Sequence, residues 1–120
     1  MRRISIGRRS PFLGAALLTA AVAVLAARSD GREDDALALY AKNCSSCHGE
    51  SGRGDGPSGL MMKQKPADLR SPSVRTLSDN EIFDRITEGK PPMPAFGNRL
   101  SVEDRRALVR YVRELGTRDR

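Results

Sequence analysis

Apolar positions recur at helical spacing in three segments of the chain, and the last segment has the clearest boundaries. Ser101 and Asp104 match a capping box and predict the start of a helix, and Gly116 predicts its end. The apolar stripe of this helix consists of Leu108, Val109, Tyr111, Val112 and Leu115. A single stripe of this kind predicts an amphipathic helix that buries one face in the core.

The two earlier segments predict shorter helices. Ser78 and Glu81 form a second capping box, and we expect that helix to run through Thr87 and to stop at Gly89. Its buried face would consist of Ile82, Phe83 and Ile86. The first segment, Ala36 to Ala41, follows two acidic residues whose charge favours the positive end of a helix dipole. That helix would lead directly to the first cysteine of the chain.

Glycine and proline separate the first two helical segments. Five glycines and Pro57 between Gly49 and Gly59 argue against regular secondary structure and predict a loop that folds closely around a bound group. The stretch from Leu69 to Leu77, interrupted by Pro72, predicts an irregular strap rather than a strand. Because no run of residues has convincing strand periodicity, we predict an all-α domain with loops.

The first 27 residues have the composition of an export leader. Four arginines at the start precede a largely apolar stretch from Phe12 to Ala27. We expect cleavage after Ala26 or Ala27, which makes residues 28–120 the mature domain. An uncleaved leader is the alternative, and it would tether the domain to the outer face of the inner membrane. Both forms place the domain in the periplasm.

Charge gives little indication of a polyanionic partner. The formal net charge of the full chain is +6, but four of its 21 basic residues lie in the leader. The mature domain then has 17 basic and 15 acidic residues, a net charge near +2. This balance argues against nucleic-acid binding. Either a local docking face or simple solubility would account for Lys42, Lys63, Lys65 and Lys90.

The residues that carry chemistry are concentrated in the sequence Cys44-Ser45-Ser46-Cys47-His48. Thiols at positions i and i+3 share one helical turn and can both reach the vinyl groups along one edge of a porphyrin. The imidazole of His48 is then placed to bind iron. We therefore predict one haem c, covalently attached through Cys44 and Cys47, with His48 as the proximal iron ligand.

Zinc binding and a redox-active disulfide use similar pairs of thiols. With two cysteines and one histidine, a four-ligand zinc site of thiolates and imidazoles lacks a ligand unless a carboxylate supplies it. A dithiol oxidoreductase normally has a βαβ pattern, which is not apparent here. Haem would also complete the thin core of a short domain without tryptophan, so the haem-free protein would be poorly folded. The glycine-rich loop would fold against the haem edge.

The second axial position cannot be filled by another histidine, because His48 is the only one. Met93 is the main candidate, since three prolines between Lys90 and Phe96 would hold it in an extended, stiff segment. Met61 and Met62 are the competing thioethers, and their other possible role is apolar packing against the porphyrin. An open or lysine-ligated iron is the remaining alternative.

Together these features resemble those of the class I c-type cytochromes. The resemblance rests on Cys44 to Gly49, the loop from Gly54 to Gly59, Gly89 before Pro92-Met93-Pro94, and the final helix from Leu100 to Arg113. It implies the cytochrome c fold, in which short helices and loops wrap one covalently bound haem.

The resemblance also implies several contacts around the haem. It places the crossing of the first and last helices near Tyr40, Ala41, Tyr111 and Leu115. It pairs the carbonyl of Pro57 with the second ring nitrogen of His48. Apart from the resemblance, we expect surrounding residues that include Phe96, Leu100 and Ile86 to keep water from the iron.

The function implied is that of a periplasmic monohaem electron carrier with His48 and Met93 as axial ligands, rather than an enzyme. Its partners would be redox proteins such as an oxidase, a dehydrogenase or another cytochrome. The alternative is a membrane-anchored or complex-bound electron-transfer subunit of an oxidase or dehydrogenase. A haem enzyme or gas sensor with an open sixth position is a rival of a different class. The sequence leaves the oligomeric state open.

Overall fold

A computed structural model describes residues 32, 33 and 35–118 of the chain. Helical residues 35–43, here called α1, are followed by α2 (Ser45–His48), α3 (Pro57–Leu60), α4 (Pro72–Arg75), α5 (Asp79–Glu88) and α6 (Val102–Leu115). Within these residues the only β pairing is an isolated bridge between Lys90 and Met93. The predicted leader, residues 1–27, and its cleavage point lie outside the described residues.

Both capping boxes are formed as the sequence predicts. The Ser78 hydroxyl accepts from the Glu81 backbone N–H, and the Glu81 carboxylate accepts from the Ser78 backbone N–H at the start of α5. Ser101 and Asp104 make the same reciprocal pair at the start of α6. Because each box satisfies two otherwise unpaired N–H groups, both helix starts are determined by local sequence.

The core lies where α6 meets α1 and α5. The predicted stripe of α6 is buried, together with Ala107 and Arg105 of the same helix. Tyr40 of α1 contacts Tyr111 of α6, with ring centroids 4.8 Å apart. Ala41, which was expected at this crossing, is exposed, because the buried positions of α1 are Ala36 and Tyr40, one helical turn apart.

Two segments that we predicted to be irregular contain single helical turns. α3 lies inside the glycine-rich loop, and α4 lies inside the strap. Pro57 and Pro72 stand at the first positions of these turns. A proline there loses no hydrogen bond, and its fixed φ suits a helix, so it starts the turn where we had expected it to prevent one.

No helix in the described part of the chain is both long enough and apolar enough to cross a membrane.

Candidate haem-binding site

The two thiols and the imidazole are presented by a tight helical turn after α1. Cys44 donates its backbone N–H to the Tyr40 carbonyl at 2.8 Å, and His48 donates to the Cys44 carbonyl at 2.9 Å. Both cysteines are free thiols and are partly buried. These bonds hold all three side chains on one short stretch of backbone, residues 44–48, here called the attachment turn.

A cavity of about 360 Å³ brings the predicted site residues together. Its lining includes Cys44, Cys47, His48 and Met93. The surrounding apolar wall includes Leu69, Val74, Leu77, Ile82, Ile86, Phe96, Leu108 and Val112. Leu100 is partly buried but does not line the cavity, whereas Phe96 and Ile86 do, as expected.

The two competing methionines are separated by the structure. Met62 lines the cavity, but Met61 lies outside the lining and is 89% exposed. Met93 and Met62 are therefore the two thioethers at the cavity. Met61 is directed into solvent in this structure.

His48 has one ring nitrogen engaged by the backbone. Nδ1 lies 3.0 Å from the Ala67 carbonyl oxygen, and because a carbonyl only accepts, Nδ1 carries the proton. Nε2 then has a free lone pair. Burial lowers the pKa of His48, and the bond to Ala67 opposes that shift. The imidazole is thus favoured in its neutral, ligating form.

The expected bond between His48 and the carbonyl of Pro57 is wrong. Pro57 is used as the first residue of α3, and the chain returns to the imidazole only ten residues later, at Ala67. The sequence carried little indication of this partner, since any residue's carbonyl can accept. The one available signal is Pro66, which restricts the backbone just before Ala67.

The thiol of Cys44 is held in its neutral form. Burial, and to a lesser extent the neighbouring Cys47, raises the pKa of Cys44 to about 11. Zinc binding and disulfide exchange both need a thiolate, which burial of this kind disfavours. Among the described residues there is also no group of three or more His, Cys, Asp or Glu side chains that could hold a metal ion.

The glycine-rich loop packs on the backbone of the attachment turn, and its glycines are absent from the cavity lining. Gly54 donates to the His48 carbonyl at 2.7 Å, and Gly56 donates to the Cys47 carbonyl at 3.2 Å. A Cβ at Gly56 would collide with the carbonyl oxygens of Ser45 and Ser46. Our expectation that these glycines line a haem edge is therefore corrected. Gly54, Gly56 and Gly59 are instead required by close approach to backbone carbonyl oxygens of neighbouring segments.

Met93 is held in a turn, where the sequence predicted an extended segment. Lys90 and Met93 exchange two backbone hydrogen bonds, of 3.1 and 2.8 Å, across Pro91 and Pro92. The prolines stiffen this segment as expected, but they do so by closing a turn. The turn places the partly buried Met93 on the cavity wall.

These features fit a haem group. A covalently attached porphyrin needs two accessible thiols, an imidazole with a free lone pair and an apolar pocket, and all of these meet in one cavity. Lys65, Arg85 and Lys90 also line the cavity, and their positive charge would suit the two carboxylate side groups of a haem. The sequence interpretation had not singled out Arg85.

Comparison with known proteins also supports haem as the bound group. The family model described as "Cytochrome C oxidase, cbb3-type, subunit III" matches residues 31–112. The chain belongs to this family of cytochrome c domains. The predicted resemblance to class I cytochromes, the all-α cytochrome c fold and covalent haem c are thereby confirmed. Membership also agrees with an electron-carrier role rather than an enzymatic one.

The relatives include two cytochromes c6 and a subunit of a cbb3-type cytochrome c oxidase. Cytochrome c6 of Microcystis aeruginosa is 32% identical over 78 residues, which covers 65% of this chain and 90% of that protein. Cytochrome c6 of Alaria esculenta is 34% identical over 62% of this chain and 80% of that protein. The cbb3-type cytochrome c oxidase subunit FixP of Azorhizobium caulinodans is 37% identical, but this cytochrome covers only 25% of its length.

A solved structure shares the fold. The KustC0563 c-type cytochrome superposes with a TM-score of 0.56 and 32% identity, covering 66% of this chain and 94% of that chain.

Proposed function

We propose that this protein is an exported monohaem cytochrome c that carries single electrons between redox proteins in the periplasm. The observation that carries the proposal is the convergence of Cys44, Cys47, His48 and Met93 on one apolar cavity. The leader composition and the normal attachment of haem c outside the cytoplasm support the location. In this proposal residues 1–27 are the leader and residues 28–120 the cytochrome domain.

Each site residue has one role in the proposal. Cys44 and Cys47 hold the haem through thioether bonds, and His48 binds iron through Nε2 because Nδ1 donates to Ala67. Met93 provides the second axial ligand from its proline-stiffened turn. A single attachment motif in the chain supports a single haem.

The protein's own contribution is binding, orientation and exclusion of water. Haem c supplies a one-electron iron couple, and His/Met ligation raises its potential. The Ala67 carbonyl fixes the tautomer and direction of the His48 ring. Ile86, Phe96 and Leu108 keep the cavity apolar, which disfavours the more highly charged oxidised state.

The proposed docking face is the exposed loop beside the attachment turn. Gly59 packs against the Cys47 carbonyl, and the residues after it include Leu60 and Met61, which are 56% and 89% exposed. Lys63 and Lys65 follow and are exposed. An apolar centre with a basic rim suits an oxidase, a dehydrogenase or another cytochrome with an acidic rim.

The second candidate is an electron-transfer subunit that is membrane-anchored or bound in an oxidase or dehydrogenase complex. The family description and the FixP relative favour it. Fractionation of cells that produce the full chain distinguishes the two forms. Release of a chain starting near Arg28 into the periplasmic fraction supports the free carrier, whereas an intact N-terminus in the membrane fraction supports the bound subunit.

The test of function is voltammetry of the protein produced with haem-attachment machinery, after mass analysis for one covalent haem. We expect one reversible one-electron wave, no binding of carbon monoxide to the reduced protein, and a lower potential in Met93→Ala. Ready binding of carbon monoxide would contradict the carrier and support a sensor or enzyme with an open sixth position.

A further inference from the structure

Arg105 is a buried cation near the start of α6. It is only 8% exposed. Its Nε donates to the Ser101 carbonyl at 3.3 Å, its Nη1 donates to the Thr87 hydroxyl at 2.6 Å, and its guanidinium lies 4.8 Å from the centre of the Phe83 ring. Within the described part of the chain, no ion pair is found between Arg105 and a carboxylate.

A buried charge without an opposite charge is costly, so its retention needs a reason. Stacking on Phe83 does not by itself account for the burial of Arg105, because Arg106 stacks on the same ring at 5.0 Å and remains exposed. Arg105 differs from Arg106 in its burial and in its hydrogen bonds to the Ser101 carbonyl and the Thr87 hydroxyl. Of these two bonds, the one to Thr87 leads towards the segment that carries Met93.

Thr87 connects Arg105 to the segment that carries Met93. The Thr87 hydroxyl donates to the Phe83 carbonyl at 2.7 Å, so it is oriented to accept from Arg105. The Thr87 carbonyl accepts from the Gly97 N–H at 3.0 Å. Gly97 also packs so closely that an added Cβ would lie 3.1 Å from the Thr87 carbonyl oxygen and 3.9 Å from Arg105 Nη1.

The segment after Met93 is therefore fastened to the end of α5. Phe96, a buried residue of the cavity wall, donates its N–H to the Ile86 carbonyl at 3.0 Å, and Gly97 bonds to Thr87 beside it. The other end of the Met93 turn is closed by the Lys90 bridge. The Met93 segment is thus held at two places, by the Lys90–Met93 bridge and by the hydrogen bonds of Phe96 and Gly97 to the end of α5. Arg105 contacts the second place through the Thr87 hydroxyl.

We propose that Arg105 is a positioning residue for Met93, which locks Thr87 and the Phe96–Gly97 backbone in place so that the thioether stays directed into the cavity. This inference rests on the proposed role of Met93 as axial ligand. A weak, neutral thioether ligand stays bound only if its loop is already ordered. Loss of the Arg105–Thr87 hydrogen bond should therefore let an external ligand compete with the Met93 thioether for the iron.

The test measures the affinity of the oxidised, haem-loaded protein for imidazole, detected through the change in the protein's absorption spectrum. We expect Arg105→Met to bind imidazole about tenfold more tightly than wild type, because a charge-assisted hydrogen bond is lost. Arg106→Met, the matched control, should stay within about twofold of wild type. Thr87→Val should shift the affinity in the same direction, and adding Arg105→Met to it should give little further change.

The outcomes separate this inference from the proposed function. The free energy of unfolding is measured for each variant, since lost packing alone would lower it without changing ligand exchange. If Arg105→Met and Thr87→Val bind imidazole like Arg106→Met while Met93→Ala binds it more tightly, the inference is overturned and the Met93 assignment stands. If Met93→Ala binds imidazole no more tightly than wild type, the Met93 assignment fails and the inference fails with it. Should Arg105→Met not fold, Thr87→Val gives the same decision.

Discussion

The attachment half of the domain, residues 35–77, is organised differently from residues 78–118. α5 and α6 are ten and fourteen residues long and both begin with complete capping boxes. α2, α3 and α4 have four residues each, and none has a side-chain cap hydrogen bond. Of the buried apolar side chains in the described residues, only Ala36 and Tyr40 precede α5.

The contrast shows two ways of specifying structure. Caps and an apolar stripe define the second half through local sequence, as expected for amphipathic helices. In the attachment half, hydrogen bonds between glycine backbones and the Cys47 and His48 carbonyls hold the chain around an apolar cavity. That half has few apolar contacts of its own and depends on a group that fills the cavity.

Removal of the haem should have the largest effect, and it should disrupt the attachment half more than residues 78–118. We expect Cys44→Ala/Cys47→Ala, which cannot attach haem, to lose cooperative folding, because the cavity is left unfilled. Any residual amide protection should be found in α5 and α6, while the Gly54 and Leu69 amides exchange at near-random-coil rates. Hydrogen exchange checks this, with haem-loaded protein as the control. Equal protection of both halves in the variant would contradict the contrast.

Gly56→Ala should strongly destabilise the glycine-rich loop. The added methyl group would meet the carbonyl oxygens of Ser45 and Ser46, which cannot move without distorting the attachment turn. We expect a loss of about 2 to 3 kcal/mol in the free energy of unfolding. Gly116→Ala is the control, since Gly116 has right-handed helical dihedrals, and it should change stability by less than about 1 kcal/mol. Denaturant titration measures the free energy of unfolding of both variants. Similar losses for Gly56→Ala and Gly116→Ala would refute the close-contact explanation.

Two serines at helix starts, one in each half, test whether side-chain caps distinguish the halves. Ser101 accepts a hydrogen bond from the Asp104 N–H at 3.0 Å, whereas Ser71 at the start of α4 makes no side-chain cap bond. Ser101→Ala should therefore lower the free energy of unfolding by about 1 kcal/mol, and Ser71→Ala by less than about 0.5 kcal/mol. An equal cost for the two substitutions would show that the caps do not distinguish the halves.

The smallest predicted effect is a dependence of stability on pH at the start of α5. The backbone N–H and then the hydroxyl of Ser78 lower the pKa of Glu81 by donating to its carboxylate. A lowered pKa in the folded state stabilises the protein at pH values above the unfolded-state pKa of about 4.3. This stability is lost as the pH falls through the folded-state pKa.

Glu81→Gln should therefore be less stable than wild type at neutral pH, and the difference should shrink on acidification. Denaturant titrations on both sides of the glutamate range measure it. Glu103→Gln removes an acidic residue from the first turn of α6 that is not part of a capping box, and it serves as the control. A stability difference for Glu81→Gln that stays constant with pH would contradict the capping explanation.

The sequence predicted the second half well because its determinants are local. Ser78 with Glu81 and Ser101 with Asp104 lie three residues apart, so their pairing can be read directly. The site residues could also be assigned to the cavity, because Cys44, Cys47 and His48 share one turn and Met93 follows a proline-rich segment.

The remaining features depend on distant contacts. The Ala67 carbonyl that orients His48 has no side-chain signature, and it lies nineteen residues away along the chain. Arg105 looks like an ordinary surface cation in sequence, but in the fold it is buried and donates to the Thr87 hydroxyl, eighteen residues away. The single turns begun by Pro57 and Pro72 are hard to predict, because a proline among loop residues interrupts a helix at most positions and favours one only at its first turn.

In the proposed function, the two halves of the domain each supply one iron ligand, His48 from the attachment half and Met93 from the second half. The most direct test of this assignment is the weak near-infrared sulfur-to-iron absorption band of the oxidised, haem-loaded protein. We expect the band in wild type, in Met61→Ala and in Met62→Ala, and its loss in Met93→Ala. Loss of the band in Met62→Ala with retention in Met93→Ala would contradict the account, because both ligands would then come from the attachment half.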